Sequence, residues 1–291
     1  MGASLERSET LRGATWDDFD GVVGLLVRQN RAATGVAAVR EEFVRTEWEL
    51  PSFEVGLDNW VSGSTGYAAL SPAGGLTLAA ATDTEADVLL ERAIGRARDR
   101  GLAKLTLRPL PGNEVHARLL ERHGFELQTD VLVMSRVLSP REEAPDWPDG
   151  IAARTFEPPD ALAVHALLDE AYGGWDTTYV PLPHEDWMRA MTGDAEFDPT
   201  AWWLAERDGV LVGCALWWAG GWLKDIVVRE SERGLGLGAA LIRQGLAELA
   251  RRCVRRVGLK VDAGNPTSAP RLYERLGFTT EGREQVWALN P

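Results

Sequence analysis

The residues best suited to chemistry lie near the C-terminus, in VVRESERGLGLGAALI, which runs from Val227 to Ile242. This segment predicts a strand, then Arg233 and three alternating glycines, then a helix. A glycine-rich turn that leads into a helix points unpaired N–H groups at one place, where the helix dipole adds to their field. Gly234, Gly236 and Gly238 would allow positive φ angles and let a ligand approach the backbone. We therefore predict a phosphate or diphosphate site, with Arg233 as a fixed cation.

Two kinds of phosphate site carry such glycines. Gly234, Gly236 and Ala239 satisfy the dinucleotide fingerprint G-x-G-x-x-G/A. Asp262 ends the next predicted strand, near the position of a ribose-binding acid. That fingerprint normally opens a βαβ domain, whereas here strands precede it and Asp208-Gly209 predicts a tight antiparallel hairpin. A nicotinamide-dependent redox protein is therefore a competing hypothesis that this hairpin disfavours.

A second segment, NPTSAPRLYERLGF, runs from Asn265 to Phe278, one predicted helix and one predicted strand later. The two motifs in this order resemble the GNAT superfamily of acyl-CoA-dependent N-acetyltransferases. The resemblance implies an α/β fold with a mixed sheet. It also implies that the glycine loop holds the coenzyme A diphosphate and that the tyrosine helix lies at the thiol end. The coenzyme-binding positions it implies are Ile226, Val227, Val228, Arg233, Gly234, Leu235, Gly236, Leu237, Gly238, Ala239, Asn265 and Tyr273.

The resemblance also implies roles in catalysis. The backbone N–H of Ile226 would polarise the thioester carbonyl, and Val228 would pair with the pantetheine arm. Tyr273 is the candidate general acid for the departing thiolate, with a core aromatic on an amphipathic helix as the alternative interpretation. Asn265 would cap or turn the chain before the tyrosine helix and hydrogen-bond the coenzyme.

The general base is not identified by the sequence. Strict strand alternation places Trp222 and Ile226 on one face, and Asp225, the only acid on that strand, on the other. A water chain or the residues Asp176, Glu185, His165 and His184 are equally open alternatives. Trp175 and Asp176 are predicted acceptor contacts, because they lie in the loop after the first helix, which carries specificity in this family. Trp222 and Asp225, on the strand before the glycines, are the other predicted contacts.

Composition limits the class of protein. A length of 291 residues suggests two domains, and 45% hydrophobic residues suffice for packed cores. The net charge of −13 disfavours nucleic acid as a partner and suits a cationic small molecule or basic peptide. Cys214 and Cys253 have no motif spacing, which argues against disulfides and zinc and favours a reducing cytoplasm. We expect no metal, no membrane span and no signal peptide.

The chain contains two copies of one unit. Thr10 to Asn30 and Ile151 to Tyr172 both read as strand, loop and amphipathic helix, and RLYERLGF near the C-terminus has an echo in RLLERHGF, from Arg118 to Phe125. The segment from Ser139 to Gly150 is rich in proline and charge, as linkers are. We therefore predict tandem GNAT-like domains at residues 1–140 and 150–291.

The first copy lacks the binding motifs. After its candidate strand, Asp83, Glu85 and Asp87 occupy the helix entrance, where no arginine or glycine is present. Acids at a helix N-terminus stabilise the helix but would repel a diphosphate. Leu120 stands where the second copy has Tyr273. We expect the first domain to be degenerate, without acyl-CoA, and either structural or part of the acceptor site.

The leading prediction is direct transfer of an acetyl group from acetyl-CoA to a primary amine of a small molecule. Protein or peptide amines are alternative acceptors. The tandem architecture also resembles that of the mycothiol synthases, which acetylate a cysteinyl amine. A non-catalytic acyl-CoA sensor is the main competing class, since it would need Arg233 and the glycines but not Tyr273.

Overall fold

The computed structural model describes residues 11–35, 39–173 and 180–291, and it divides into two compact units. The first unit comprises Met1–Gln128 with Gln285–Pro291, and the second comprises Thr129–Glu284. Each unit is a mixed sheet with helices on its faces, which confirms the predicted α/β class. No helix within the described ranges is both long and apolar enough to cross a bilayer.

The first unit alternates strands and helices around one sheet. Its elements are β1 (Arg12–Gly13), α1 (Phe19–Thr34), α2 (Glu41–Trp48), β2 (Asn59–Ser62), β3 (Gly66–Leu70), β4 (Gly75–Ala79), α3 (Asp83–Asp99), β5 (Leu105–Leu107) and α4 (Glu114–His123). The strands pair in the order β1-β2-β3-β4-β5, and only β4 and β5 are parallel. The core under this sheet consists mainly of leucine and alanine side chains.

The second unit repeats the same order of elements. After β6 (Glu126–Val137) come β7 (Ile151–Thr155), α5 (Ala161–Gly173), α6 (His184–Thr192), β8 (Trp202–Arg207), β9 (Val210–Trp217), β10 (Trp222–Val228), α7 (Leu237–Arg251), β11 (Arg256–Asp262), α8 (Ala269–Arg275) and β12 (Thr279–Leu289). The strand, loop and helix predicted for Ile151 to Tyr172 are confirmed as β7 and α5, and the strand and helix predicted around the glycines are confirmed as β10 and α7. Asp208 and Gly209 both have positive φ, at 51° and 75°, as the predicted tight hairpin requires.

The division between the units differs from the predicted bounds of 1–140 and 150–291. β6 pairs with the whole of β11, from Val131↔Asp262 to Val137↔Arg256, so β6 from Thr129 onward belongs to the second unit. The C-terminal end of β12 pairs with β5 through Trp287↔Leu107 and Leu289↔Leu105, so it belongs to the first. The linker, residues 138–150, is irregular as expected. However, strand pairing, not the linker, decides which residues each unit contains.

In the second unit the strands pair in the order β6-β11-β10-β9-β8-β7, and only β10 and β11 are parallel. One face carries a core built on α7, with Trp217 and Leu241 at its centre. The other face carries a core built on α5 and α6, with Trp202 at its centre. Cys253 lies in the turn after α7, with φ 63°.

Candidate functional site

The centre of the second sheet opens where β10 and β11 separate. These parallel strands pair only at Trp222↔Gly258 and Leu223↔Leu259. Beyond that point β10 stays paired with β9 as far as Val228, and β11 stays paired with β6 as far as Asp262. We call the space between residues 224–228 and 260–262 the strand gap. Its backbone edges have no strand partner there.

A bulge at Lys224 explains the separation. Leu223 pairs with Trp217 and Asp225 with Leu216, so Lys224 is an extra residue on β10. A bulge of this kind bends its strand and ends regular pairing on the other edge. The sequence carries no signal for this extra residue, so the prediction of strict alternation fails at this point.

The bulge overturns the predicted face of Trp222. Leu223 and Ile226 contact the α7 core. Trp222 and Val227 contact the α5 core, and Asp225 points to the same side. Trp222 therefore shares a face with Asp225 and not with Ile226. Asp225 does lie opposite the side chain of Ile226, as predicted.

The amides of Ile226 and Val228 face the strand gap. Arg229 donates its N–H to the carbonyl oxygen of Val212 on β9, with an N···O distance of 2.8 Å. Because successive residues of a strand direct their N–H groups to opposite edges, those of Ile226 and Val228 point away from β9. Two donors thus line the gap, at the position that the family resemblance implied.

A row of unpaired amides lies at the entrance of α7. Within the described chain, the backbone N–H groups of residues 234–239 donate no hydrogen bond. Gly234 and Gly236 have φ of 79° and 85°, and a Cβ at either would meet no atom within 4 Å. Consecutive amides around left-handed residues form an anion-binding concavity, to which the helix dipole adds.

Gly238 differs from the other two glycines. It is helical, so the predicted need for positive φ is wrong there. A Cβ would lie 3.6 Å from Leu272 and 3.7 Å from Val228, which are ordinary contact distances. Leu235 is exposed, Leu237 is buried in the α7 core, and Ala239 is half-buried.

Arg233 is exposed and anchored beside these amides. Its Nε donates to the carbonyl oxygen of Val228 at 3.1 Å. Its terminal nitrogens make no hydrogen bond to the described residues. Glu232, the acid next to it, accepts both of its hydrogen bonds from Nε of Arg207 at 3.1 Å. Arg233 therefore presents its terminal nitrogens beside the unpaired amides.

Tyr273 lies on the α7 side of the strand gap. It is 4% exposed and packs edge-on against Phe278, with ring centroids 5.9 Å apart. Its hydroxyl has no hydrogen-bond partner among residues that the structure describes. Burial, and secondly the charge of Asp225, raise the pKa of Tyr273 above its usual value. The phenol therefore stays protonated and its O–H is available as a donor.

Asp225 sits in a cluster with two neighbours. Tyr172 on α5 donates its hydroxyl to Oδ1 of Asp225 at 3.0 Å, and Lys224 Nζ lies 3.0 Å from Oδ2. Burial first, and then Asp225 and Tyr273, raise the pKa of Tyr172 well above its usual value. Asp225 lies on the α5 side of the sheet and Tyr273 on the α7 side, and the charge of Asp225 contributes to the raised pKa of both phenols.

Tyr172 was not identified from the sequence as a site residue. It closes the amphipathic segment that begins the second copy, and Leu167 and Leu168 on the same helix are plain core residues. The one feature of the sequence that could have indicated it was a tyrosine at the end of that helix. Tertiary packing was needed to show that this phenol meets β10.

Asn265 and Asp262 form the turn before α8. Oδ1 of Asn265 accepts from the backbone N–H of Thr267 at 2.9 Å and from its hydroxyl at 2.6 Å. Oδ1 of Asp262 accepts from Thr129 Oγ1 at 2.8 Å and from the N–H of Gly264 at 2.6 Å. A turn role for Asn265 is confirmed. Asp262 is committed to the turn, and the largely antiparallel sheet removes the dinucleotide interpretation.

The other candidate bases have neighbours of their own. His165 on α5 and His184 on α6 pack against each other, with ring centroids 5.4 Å apart, and both pack against Trp187. Glu185 is exposed in the first turn of α6. Trp175 and Asp176 lie outside the described residues.

Cys214 is the thiol on the strand next to β10. It pairs with Val227 and is fully buried in the α5 core. Burial raises the pKa of its thiol, and the charge of Asp225 adds to that effect. A thiol in this state is a poor nucleophile.

The equivalent place in the first unit is bridged by a side chain. β4 and β5 also part after Leu76↔Leu107, but His116 bridges them. Its Nε2 lies 3.1 Å from the carbonyl oxygen of Leu78, and its Nδ1 accepts the N–H of Leu110 at 3.2 Å. Burial lowers the pKa of His116, so the ring is neutral.

The helix entrance of the first unit is also filled. α3 begins at Asp83, with Asp83 and Glu85 in its first turn. Glu85 accepts the N–H of Ala81 at 2.8 Å and the hydroxyl of Thr65 at 2.9 Å. Asp87 pairs with Arg122 at 2.6 Å. A carboxylate of the chain itself thus takes the place that an external anion would need.

Comparisons with known proteins agree with this geometry. A sequence model of the acetyltransferase (GNAT) family matches residues 161–278. The mycothiol acetyltransferase of Geodermatophilus obscurus is 32% identical over 219 residues, which cover 68% of this chain and 67% of that protein. The chain belongs to the GNAT family of acetyltransferases. The mycothiol acetyltransferase of Thermobispora bispora is 37% identical over 182 residues, 56% of this chain, and the match spans 58% of that relative's length.

Solved structures extend the likeness to both units. The GCN5-related N-acetyltransferase from Sphaerobacter thermophilus superimposes with a TM-score of 0.72 and 28% identity, covering 99% of this chain and 98% of that one. A tandem GNAT protein from the clavulanic acid biosynthesis pathway has a TM-score of 0.66, covering 96% and 98%, and shares the fold at 16% identity. The tandem GNAT architecture is therefore confirmed.

Proposed function

We propose that the second unit binds acetyl-CoA and transfers its acetyl group directly to a primary amine of a small molecule. The observation that carries the proposal is the combination of unpaired amides at residues 234–239 with an open strand gap beside them. One feature suits a diphosphate and the other suits an extended thioester arm. The relatives named mycothiol acetyltransferase support the same chemistry.

The donor would lie between the α7 entrance and the strand gap. The diphosphate would accept hydrogen bonds from the loop amides and from Arg233, whose guanidinium is held by Val228. The pantetheine arm would follow the edge of β10. The N–H of Ile226 would then donate to the thioester oxygen, which gains charge during attack. Donors of this kind contribute about 2.7–4 kcal/mol to the transition state.

The acceptor would approach from the α5 side. Asp225, oriented by the hydroxyl of Tyr172, would attract the ammonium form. One proton passes to solvent to give the neutral amine, and Asp225 takes the second proton as that amine attacks. The C–N bond forms as the C–S bond breaks, and Tyr273 would donate a hydrogen bond or its proton to the departing sulfur. No thiol intermediate is required, which agrees with the buried state of Cys214.

The proposed acceptor is a class of molecule and not one compound. A small amine suits the net charge of −13, and a cysteinyl amine, as in mycothiol synthesis, is one such acceptor. The phenol and carboxylate at the strand gap favour an enzyme over a non-catalytic acyl-CoA sensor. A sensor has no use for the Tyr172–Asp225–Tyr273 arrangement.

Two measurements test this function. Calorimetry with acetyl-CoA, coenzyme A and NAD should show binding of the first two and none of NAD. Thiol release from acetyl-CoA across a panel of amines, including cysteinyl amines and peptides, should then identify acceptors. Absence of coenzyme A binding to folded protein would overturn the proposal, and binding without turnover on any amine would favour the sensor.

Tyr273→Phe tests the role of the phenol. We expect kcat to fall by roughly 10²-fold or more, the range of a general acid–base contribution, while the affinity for coenzyme A changes little. Tyr67→Phe, a buried tyrosine of the first unit, is the matched control. Unchanged turnover in Tyr273→Phe would remove the acid role but would leave acetyl transfer standing.

A further inference from the structure

The first unit contains a cavity that the proposed function does not use. Its volume is about 550 Å³, within the range of sites for small ligands. It lies between α1, α2, the open end of β4 and the chain after β5. Its walls are largely apolar, with contributions from Leu26, Phe43, Val44, Leu76, Leu78 and Leu110.

Glu47 of α2 is the acid among the residues that line this cavity. Glu47 is half-buried and borders the open space of the cavity. The carboxyl group makes no hydrogen bond and no ion pair with any residue in the described ranges. Burial raises the pKa of Glu47 to about 7. A carboxyl group held in this way lacks the partner that normally offsets its desolvation.

The neighbouring polar groups have other partners. The hydroxyl of Tyr67 accepts from Nε1 of Trp48 at 2.9 Å, and both nitrogens of His116 hold the backbone. Arg40 stacks on Phe43, with its guanidinium carbon 3.8 Å from the ring centroid. Arg108 is exposed at the cavity mouth. Glu47 is therefore the negatively charged group that the cavity lining offers to a ligand.

The cavity does not suit a diphosphate carrier. His116 spans the gap between β4 and the chain after β5, and Glu85 fills the α3 entrance. A divalent cation is also disfavoured, because such ions need several oxygen ligands and Glu47 supplies one carboxylate. A single carboxylate among apolar walls is instead complementary to one ammonium group on an apolar body.

We propose that this cavity binds a small molecule with a primary ammonium group and an apolar body, and that the ammonium group forms an ion pair with Glu47. The site belongs wholly to the first unit and does not depend on acetyl transfer in the second. It gives the unit that lacks the acyl-CoA motifs a ligand of its own.

The test uses the full chain at about pH 8, with 2-phenylethylamine and hexylamine as probes and 2-phenylethanol and 1-hexanol as uncharged counterparts. Calorimetry and ligand-observed NMR are run on the parent, on Glu47→Gln and on Glu91→Gln. Glu91 is an exposed acid of the same unit, so its variant matches the loss of charge. We expect the amines to bind the parent and Glu91→Gln, and to bind Glu47→Gln roughly tenfold more weakly or worse.

A second readout is pH. Besides Glu47, the ionisable groups that line the cavity are Arg40, Tyr67, Arg108 and His116. The pKa of Tyr67 is raised and that of His116 is lowered by burial, so neither gains charge as the pH rises from about 5 to about 8. Amine affinity should therefore rise over this range in the parent and stay flat in Glu47→Gln.

Three results would overturn the proposal. The proposal fails if neither amine binds the parent at about 10 mM. It also fails if Glu47→Gln binds the amines as tightly as the parent does. It fails as well if the alcohols bind the parent as tightly as the amines do, because the cavity would then recognise an apolar body and no ammonium group. None of these results bears on coenzyme A binding, so failure here is distinguishable from failure of acetyl transfer.

Discussion

Arg233 and the amides that follow it act together because they are neighbours in sequence. Gly234 and Gly236 adopt left-handed φ, which turns successive N–H groups to one side before α7 begins. Such a conformation costs an L-residue roughly 1–2 kcal/mol, so glycine is the residue that fits. Local chemistry thus defines the anion site, and single substitutions should weaken it selectively.

Arg233→Ala should weaken coenzyme A binding. The guanidinium is exposed and bound only through Nε, so its loss removes a charge-assisted contact of about 1.5–3 kcal/mol without disturbing the core. We expect the Kd for coenzyme A to rise roughly 10–150-fold in calorimetry, with an unchanged Tm. Arg243→Ala, an exposed arginine further along α7, is the control and should bind normally. Equal affinities for both variants would contradict the site.

Glu47→Gln should alter how stability depends on pH. A carboxyl group whose pKa is raised in the folded state binds its proton more tightly in that state. The free energy of unfolding therefore falls as the pH rises from the unfolded pKa of about 4.5 through the folded pKa of about 7. The cost at about pH 8 is at most about 3 kcal/mol. Denaturant unfolding should therefore show the variant more stable than the parent at pH 8 and similar at pH 4.5. A parallel pH dependence in both proteins would contradict the shift.

The bulge in β10 is the structural device that separates two parallel strands at the element scale. Lys224 is the extra residue, and the strands stop pairing directly beyond Leu223. Trp222 lies over Gly258, one residue before the last paired position, and its ring packs directly on the glycine. The glycine provides the room for that ring.

Gly258→Ala should disturb this junction. A Cβ there would lie 2.7 Å from Cζ3 of Trp222, too close for a carbon contact, so the indole must move. Overpacking of this kind costs about 1–3 kcal/mol. We expect a lower free energy of unfolding and reduced coenzyme A affinity. Gly282→Ala is the matched control, since its Cβ would meet its nearest atom at 4.0 Å. Loss of stability in the control alone would refute the packing argument.

The two units of the whole molecule are not consecutive stretches of chain. β6 precedes the linker yet completes the second sheet, and the last residues of β12 complete the first. Val257, Leu259 and Val261 of β11 are buried beside β6. Removing β6 would leave β11 as an exposed apolar edge, which is an aggregation hazard.

A fragment of residues 129–284 should fold, and a fragment of residues 139–284 should not. The two differ only by residues 129–138, which include the part of β6 that pairs with all of β11. Cooperative thermal unfolding and size-exclusion chromatography would compare them. If the shorter fragment is equally cooperative and monomeric, β6 is dispensable and does not belong to the second unit.

The sequence alone determined the features that depend on near neighbours. The glycine loop, the order of elements, the Asp208-Gly209 hairpin and the acidic entrance of α3 follow from local conformational preference and dipole chemistry. Only the tertiary structure decided the face of Trp222, the meeting of Tyr172 with Asp225, and the isolation of Glu47. It also decided the exchange of strands between the units. These features arise from pairing and burial between residues that are distant in sequence. A single bulge there moves a side chain to the other side of the sheet, and the packing of the whole chain decides which arrangement has the lowest free energy.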